Sequence, residues 1–208
     1  LSIDANLYPL GSCTMKHNPR INEEIARLAG FADVHPYTPE HLSQGALERM
    51  ARLEAALIAL TGFARVTLQP SAGANGELAG CLMLRAAHVK AGAPRKYILV
   101  PDSAKGTNPA SAHFAGYEVK ELASSARGTL DLAELEKKMT DEVAAVMITV
   151  PNTLGVFEEN ILDVSRIVHS KGGYVYLDGA NFNAFVGKVR PADMGVDVMH
   201  MNLYKTFS

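Results

Sequence analysis

A lysine near the end of the sequence and an aspartate upstream of it are the residues whose types point most directly to chemistry. Lys205 follows an apolar run at 196–201, and Asp178 follows another at 174–177. A lysine amine can form a Schiff base with an aldehyde, and a carboxylate can keep a pyridine nitrogen protonated. The pair therefore predicts a pyridoxal phosphate site. The alternative is two ordinary surface charges.

A loop of small residues, Ser-Ala-Gly-Ala-Asn-Gly at 71–76, is the second candidate. It lies between a predicted strand at 65–69 and a helix predicted to begin at about Glu77. Small side chains let backbone N–H groups approach an anion, and a helix N-terminus adds a favourable dipole. The loop therefore predicts a phosphate site, although a plain connection is the alternative. Its spacing matches neither common nucleotide-binding glycine motif.

Two further loops and an N-terminal segment carry polar side chains. The loop at 102–108 precedes a helix for which Asn108 is the expected N-cap, and the loop at 149–155 is a candidate pocket wall that is also a typical turn. Cys13 lies in the small-residue segment 10–16 and could be a reactive thiol. An inert cysteine is the alternative, because only Lys16 is near enough in sequence to lower its pKa.

Strands and helices alternate from residue 65 onward, and this pattern predicts an α/β domain with a mainly parallel sheet. In such sheets ligands bind beyond the carboxyl ends of the strands, where Asp178, Lys205 and the 71–76 loop are all expected. The first sixty residues instead predict an arm and helices, one beginning at Asn18-Pro19 and ending at Gly30 and one at about 43–60. We therefore divide the chain into residues 1–62 and 63–208. The predicted strands are 65–69, 96–100, 117–122, 143–150, 174–177 and 196–201.

The composition excludes several classes of protein. With 208 residues, 48% of them hydrophobic, the chain can bury a sizeable core. A net charge of −2 without basic tracts argues against nucleic-acid or membrane-surface binding, and no apolar stretch is long enough to span a membrane. Two cysteines do not form a disulfide framework, so a cytoplasmic location is expected in a bacterium or archaeon, with the mitochondrial matrix as the alternative in a eukaryote. The seven histidines lack metal-ligand spacing, so no metal site is predicted.

Five segments together resemble the glycine decarboxylases, the P-proteins of the glycine cleavage system. The resemblance is in particular to subunit 2 of the two-subunit form, or to the equivalent C-terminal half of the single-chain form. The resemblance covers nearly the whole chain in the right order. The strings Gly-Ser-Cys-Thr-Met-Lys and Gly-Thr-Asn-Pro-Ala-Ser are the most specific to that family. The segments are residues 10–16, 69–77, 102–111, 178–181 and 200–207.

The resemblance implies the large domain of a fold-type I pyridoxal phosphate enzyme. Such an enzyme decarboxylates glycine and passes the aminomethyl group to the lipoyl arm of the H-protein, in an assembly with a partner P-protein subunit of heterotetramer type. Lys205 would be the Schiff-base lysine and Asp178 the partner of the pyridine nitrogen. The other implied cofactor residues are Ser71, Gly73, Ala74, Asn75, Lys105, Thr107, Asn181, His200 and Asn202, and the implied pocket residues are Ser12, Cys13, Thr14 and Thr153.

Two positions depart from the family pattern. Lys105 stands where the family usually has the histidine that stacks on the cofactor ring, and Tyr204 stands where it usually has another histidine. Tyr204 keeps an aromatic body and a hydrogen-bonding group, whereas lysine has no π face and carries a charge.

Three hypotheses follow from the sequence. The first is the catalytic half of a glycine decarboxylase, with the family's small C-terminal domain expected after Ser208 because the chain reads as a fragment. The second is a non-catalytic chain that keeps the fold and assembles with a partner subunit. The third is another fold-type I enzyme, such as a cysteine desulfurase-like lyase.

Overall fold

Five parallel strands form a single sheet in this computed structural model, which describes residues 19–207. The strand order is β2-β1-β3-β4-β5, and every pair of neighbouring strands is parallel. This architecture confirms the predicted α/β fold. The strands are β1 Tyr97–Pro101, β2 Glu118–Leu122, β3 Val143–Thr149, β4 Tyr174–Gly179 and β5 Val198–Met201.

Helices cover both faces of the sheet, which is why its central strands are almost continuously apolar. All seven residues of β3 are buried. Side chains alternate along a strand, so the core has two halves. One half packs against α4 and α5 and contains Tyr176, and the other packs against α6 and α7 and contains Leu177.

Eight α-helices and three short 3-10 helices occur in the described part of the chain. Asp131 caps α6 by accepting hydrogen bonds from the N–H groups of Ala133 and Glu134, as is typical of an aspartate in the N-cap position. The α-helices are α1 Arg20–Ala26, α2 Ala29–Ala32, α3 Gln44–Thr61, α4 Gly73–Lys90, α5 Thr107–Phe114, α6 Leu132–Lys138, α7 Ile161–Ser170 and α8 Leu203–Thr206. The 3-10 helices are Glu40–Leu42, Phe182–Ala184 and Pro191–Met194.

The helix predicted to run from Asn18 to Gly30 is wrong in its extent. It is two helices, since Leu28 adopts an extended conformation between α1 and α2, and Gly30 lies inside α2. Pro19 precedes α1 in the N-cap position, whereas Asn18 lies outside the described residues. Neither helix buries a residue, so no packed face holds the segment in one continuous helix.

The strand predicted at 65–69 is also wrong. The segment is irregular, and it forms no ladder with any strand of the described chain. Together with β5 residues such as Val198 and Met199 it lines a cavity of about 450 Å³. This space separates the segment from the β5 edge, so ladder hydrogen bonds cannot form between them.

Two helices begin earlier than the sequence suggests. Helix α4 begins at Gly73 rather than Glu77, so residues 73–76 form its first turn instead of a loop. Helix α5 begins at Thr107 after Gly106, so Asn108 lies inside the helix and is not its N-cap. Both shifts change which groups reach the carboxyl ends of the strands.

No helix within residues 19–207 combines the length and the apolar character needed to cross a membrane.

Close contact between α4 and β4 depends on Gly80. A Cβ atom at this position would lie 2.4 Å from Cε2 of the buried Tyr176 ring. We expect Gly80→Ala to lower the free energy of unfolding by about 1–3 kcal/mol, the usual cost of overpacking. Urea denaturation of the intact protein measures this change.

Gly45→Ala in α3 is the matched control, because nothing lies within 4 Å of its added Cβ. It should leave stability unchanged or raise it by up to about 1 kcal/mol. Equal effects of the two substitutions would contradict the close-packing explanation.

Candidate active site

The carboxyl ends of β4 and β5 bring two ionisable side chains together. Asp178 and His200 are direct partners in the parallel register of these strands, so their side chains share one face of the sheet. This is the face covered by α4 and α5. His200 Nε2 lies 3.3 Å from Asp178 Oδ1.

Asp178 is almost completely buried, with 1% of its surface exposed, and donors surround it. Asn108 Nδ2 donates to Oδ2 at 3.0 Å, and the Ala180 N–H donates to Oδ1 at 2.9 Å. Burial alone would raise the pKa of Asp178. The hydrogen bond and charge of His200, then the charge of Lys105, outweigh burial and hold the pKa well below its usual range. Asp178 is therefore ionised at neutral pH.

Lys105 reaches the same carboxylate from the loop after β1. Its Nζ lies 3.6 Å from Asp178 Oδ1 and donates to Asn181 Oδ1 at 3.3 Å. Asn181 is itself oriented by a 2.7 Å hydrogen bond from its Nδ2 to the Pro151 carbonyl. The lysine expected at the ring-stacking position thus places its ammonium group directly against the carboxylate.

Behind Asp178, His200 contacts two further buried groups. Its Nδ1 lies 2.8 Å from the Tyr176 hydroxyl, and its Nε2 lies 3.9 Å from Glu77 Oε2. Thr107 joins the cluster by donating its hydroxyl to Glu77 Oε2 at 3.2 Å. The site therefore has an inner layer of charged and polar side chains between the sheet and α4.

The first turn of α4 lies next to this cluster. The N–H groups of residues 73–75 have no acceptor within the helix, as at any helix N-terminus, and they provide an anion-binding surface. Gly73 packs against buried Asn202, and a Cβ at Gly73 would lie 2.5 Å from Asn202 Nδ2. Asn75 accepts a 3.1 Å hydrogen bond from the Ser71 N–H, which shapes the chain before the helix. Ala74 is exposed on the same turn.

Lys205 lies in α8, immediately after β5. Its backbone N–H donates to the Asn202 carbonyl at 3.0 Å, and its Nζ lies 5.8 Å from the centre of the Tyr204 ring. Helix α8 packs against the 3-10 helix Phe182–Ala184, which follows Asp178 in the chain. Lys205 thus follows the His200 strand, and its helix packs against the segment that follows Asp178.

Not every predicted residue joins this group. Thr153 is exposed, and its hydroxyl donates to the Ser103 carbonyl at 2.6 Å, linking two loops at the rim. Ser12, Cys13 and Thr14 lie outside the described residues.

Three residues of the cluster were not assigned to the site from the sequence: Asn108, Glu77 and Tyr176. Asn108 was interpreted as a helix cap because Asn-Pro is typical of a helix start. Glu77 could have been found from the sequence, because its spacing places it on the buried face of α4 with Cys81, Leu84 and His88. Tyr176 lies in an apolar strand, and nothing in its sequence context distinguishes it from a core residue.

The arrangement fits pyridoxal phosphate. Ionised Asp178 suits a protonated pyridine nitrogen. Beside it, Asn108 Oδ1 is buried without a hydrogen-bond partner among residues 19–207, so it can accept a hydrogen bond from a bound group. The α4 N-terminus suits a phosphate, with Gly73 leaving room for Asn202. Lys205 supplies an amine on the next element. The Lys105 ammonium group, 3.6 Å from Asp178 Oδ1, would compete with a protonated pyridine nitrogen for this carboxylate.

Comparisons with known proteins agree with this geometry. The profile of the aminotransferase class-V family matches residues 102–208. Proteins named probable glycine dehydrogenase (decarboxylating) subunit 2 are 59% identical over 208 residues in Caulobacter vibrioides and 56% identical over 207 residues in Thermococcus onnurineus. The matches cover 100% and 99% of this chain but only 40% and 41% of those relatives.

Solved structures show the same fold. The inhibitor-bound glycine decarboxylase (P-protein) of the glycine cleavage system superposes with a TM-score of 0.76 at 22% identity, covering 93% of this chain and 43% of that one. A NifS-like protein superposes with a TM-score of 0.74 at 18% identity, covering 93% and 54%.

These findings confirm the resemblance to glycine decarboxylases, the fold-type I architecture and the pyridoxal phosphate cofactor that accompanies it. The class-V profile covers more than half of the sequence and includes Lys105, Asp178, His200 and Lys205. The chain belongs to the aminotransferase class-V family.

Proposed function

We propose that the protein carrying this chain decarboxylates glycine with pyridoxal phosphate and transfers the aminomethyl group to one sulfur of the lipoyl disulfide of a carrier protein, the H-protein. The disulfide is reduced in this transfer, and its second sulfur becomes a thiol. The observation that carries the proposal is the buried, ionised Asp178 on the strand next to the one that leads to Lys205. The high identity to glycine dehydrogenase subunit 2 proteins directs the choice of substrate. Their name also supports a second subunit as partner, and we propose that the two form an assembly of heterotetramer type.

When bound, pyridoxal phosphate supplies an electron sink for the electron pair left behind as the substrate carboxylate departs as carbon dioxide. Asp178 would hold the proton on the pyridine nitrogen, because its own low pKa prevents it from taking that proton. The donors Asn108 and Ala180 fix the carboxylate in place for this contact. Burial strengthens the interaction by excluding water.

The phosphate would bind at the first turn of α4, at the N–H groups of Gly73 and Ala74. Ser71, Asn75 and Asn202 would support this end, since Asn75 holds the Ser71 backbone and Asn202 packs on Gly73. Backbone donors at a helix N-terminus are pre-aligned, so little ordering is needed when the anion binds.

The amine of Lys205 would attach the cofactor and return to hold or release a proton at the substrate carbon. Lys105 would give up its contact with Asp178 in favour of a protonated pyridine nitrogen and would keep its hydrogen bond to Asn181 Oδ1. Thr107 anchors the layer beneath through Glu77. Thr153 is proposed for the outer wall of the pocket together with Ser12, Cys13 and Thr14.

Lys205→Arg should abolish covalent attachment of the cofactor, because arginine is effectively always protonated and cannot act as the amine nucleophile. The intact protein is loaded with pyridoxal phosphate, reduced with borohydride and mapped by peptide mass spectrometry. Lys137→Arg, an exposed lysine of α6, is the control and should label like the parent. A label on another lysine in the parent would remove Lys205 from this role.

Asp178→Asn keeps the shape of the side chain and one acceptor oxygen but removes the charge. Glycine-dependent exchange of carbon dioxide should fall by about 10²–10⁴-fold, the usual range for a positioned acid–base group, while the cofactor still binds. Steady-state exchange kinetics and a cofactor titration separate the two effects. Exchange within a factor of two of the parent would show that Asp178 does not serve the pyridine nitrogen.

Lys105→His replaces a charge that competes for Asp178 with an aromatic ring that can stack on the cofactor. A stacking contact of about 0.5–1.5 kcal/mol corresponds to roughly 2- to 13-fold tighter cofactor binding. Fluorescence titration of the intact protein measures the dissociation constant, with Lys137→His as the control. Weaker binding would show that Lys105 itself holds the cofactor, whereas a parent that does not bind the cofactor at all would favour a non-catalytic chain.

A further inference from the structure

Glu77 is a buried carboxylate to which the proposed chemistry gives no direct task. It is 2% exposed, and it is the fifth residue of α4, beyond the first turn where a negative charge would stabilise the helix dipole. Its Oε2 accepts the Thr107 hydroxyl, and its Oε1 is buried without a hydrogen-bond partner among residues 19–207. A carboxylate kept in such a place is costly unless a positive charge compensates it.

His200 is a basic side chain within reach of Glu77. A carboxylate oxygen of Glu77, one of Asp178 and a ring nitrogen of His200 all lie within 4.8 Å of one another. His200 Nε2 faces both carboxylates, at 3.3 Å from Asp178 Oδ1 and 3.9 Å from Glu77 Oε2. A ring nitrogen between two acceptors has to carry a hydrogen.

The other ring nitrogen of His200, Nδ1, contacts the Tyr176 hydroxyl. The Tyr176 hydroxyl lies 2.8 Å from His200 Nδ1 and 3.4 Å from the Glu77 carbonyl oxygen. Burial, then the neighbouring acidic groups Cys81, Glu77 and Asp178, raises the pKa of Tyr176 well above its usual range, so the hydroxyl keeps its proton. It can donate that proton to the Glu77 carbonyl and accept one from Nδ1, an arrangement in which both ring nitrogens are protonated.

The charges of the cluster support the same state. With both carboxylates ionised, Glu77 and Asp178 contribute two negative charges, and Lys105 supplies one positive charge at Asp178. The remaining charge is balanced only when His200 is an imidazolium. Cys81, the other ionisable group of α4 near Tyr176, contributes none, since burial and then the charge of Glu77 raise its pKa to about 12.

We infer that Glu77 is a positioning residue: it keeps His200 doubly protonated, and His200 in turn keeps Asp178 ionised and oriented toward the pyridine nitrogen of the cofactor. The inference rests on the proposed function, because Asp178 is the group that this relay serves. Glu77 touches neither cofactor nor substrate in this role. Its effect passes through one imidazole ring.

The test measures the protonation of His200 directly, in the intact protein without cofactor, by ¹⁵N NMR of labelled histidine side chains. His200→Gln identifies the resonance. In the parent at pH 7 both ring nitrogens should show the shifts of a doubly protonated ring. In Glu77→Gln, which keeps the shape and an acceptor for Thr107, the ratio of doubly to singly protonated His200 should fall by about tenfold or more, as expected for loss of an opposite charge at this distance.

Two variants separate charge from structure. Glu77→Asp retains the charge and should keep the ratio within about threefold of the parent. Glu158→Gln makes the same chemical change at another buried glutamate, which bonds the Leu130 N–H away from this cluster, and should leave His200 unchanged. Thermal unfolding checks that each variant is folded.

An unchanged ratio in Glu77→Gln would overturn the inference. A singly protonated ring in the parent would overturn it as well, and that result does not depend on whether Glu77→Gln folds. Because these measurements need no cofactor, they are independent of the proposed function, which fails separately if the parent does not bind pyridoxal phosphate. Where the parent does bind it, Glu77→Gln should weaken binding several-fold and Glu158→Gln should not.

Discussion

An ionised carboxylate buried at the end of a central strand is the constraint around which this part of the molecule is organised. Asp178 is withdrawn from water, and an isolated charge in that position would be prohibitively unstable. Each element that reaches it supplies one compensating group: α5 the Asn108 amide, β5 the His200 ring, the loop after β1 the Lys105 ammonium and the turn after β4 a backbone N–H. The topology makes this possible, because parallel strands end at one edge and their loops meet there.

The charged site also requires that α4 packs closely on the sheet. Gly73, Gly76 and Gly80 lie on one side of the helix, facing Asn202, His200 and Tyr176 respectively. Larger residues would push the helix away and carry Glu77 with it. The small residues that the sequence offers as a phosphate loop therefore have a second use in packing, since they bring a charged layer within hydrogen-bonding distance of the strands.

Much of the fold could be predicted because its signals are local and strong. Each of these signals marks one element. A continuous apolar run marks β3, the Asp131 cap marks the start of α6, and glycines mark the ends of α3 and α7. The segment 65–69 could not be assigned in this way, because its sequence has the apolar character of a strand and only the space beside β5 decides that it does not pair. The split between α1 and α2 likewise reflects missing burial, which no residue pattern records.

The candidate site likewise contains some residues that could be predicted from the sequence and others that could not. Asp178 and Lys205 follow recognisable strands, so their types and positions suggested a shared role. Asn108 was assigned a capping role that the shifted start of α5 removes. The Glu77 and Tyr176 contacts join residues 99 positions apart, and such a pairing is set by the packing of a helix on a sheet. Sequence periodicity can place Glu77 on a buried face, but it cannot show which residue it will meet there.

The direct pairing of Asp178 with His200 in adjacent strands has a consequence for how this sequence can change. Side chains alternate along a strand, so a single-residue insertion or deletion within β4 or β5 would turn one of the two to the opposite face. A neighbour would take its place, which is Leu177 or Gly179 in β4 and a methionine in β5. The exposed turn at 187–190 in the connection between these strands, by contrast, can gain or lose residues without altering the pairing. Length variation in descendants of this chain should therefore accumulate at this turn and be absent from the two strands.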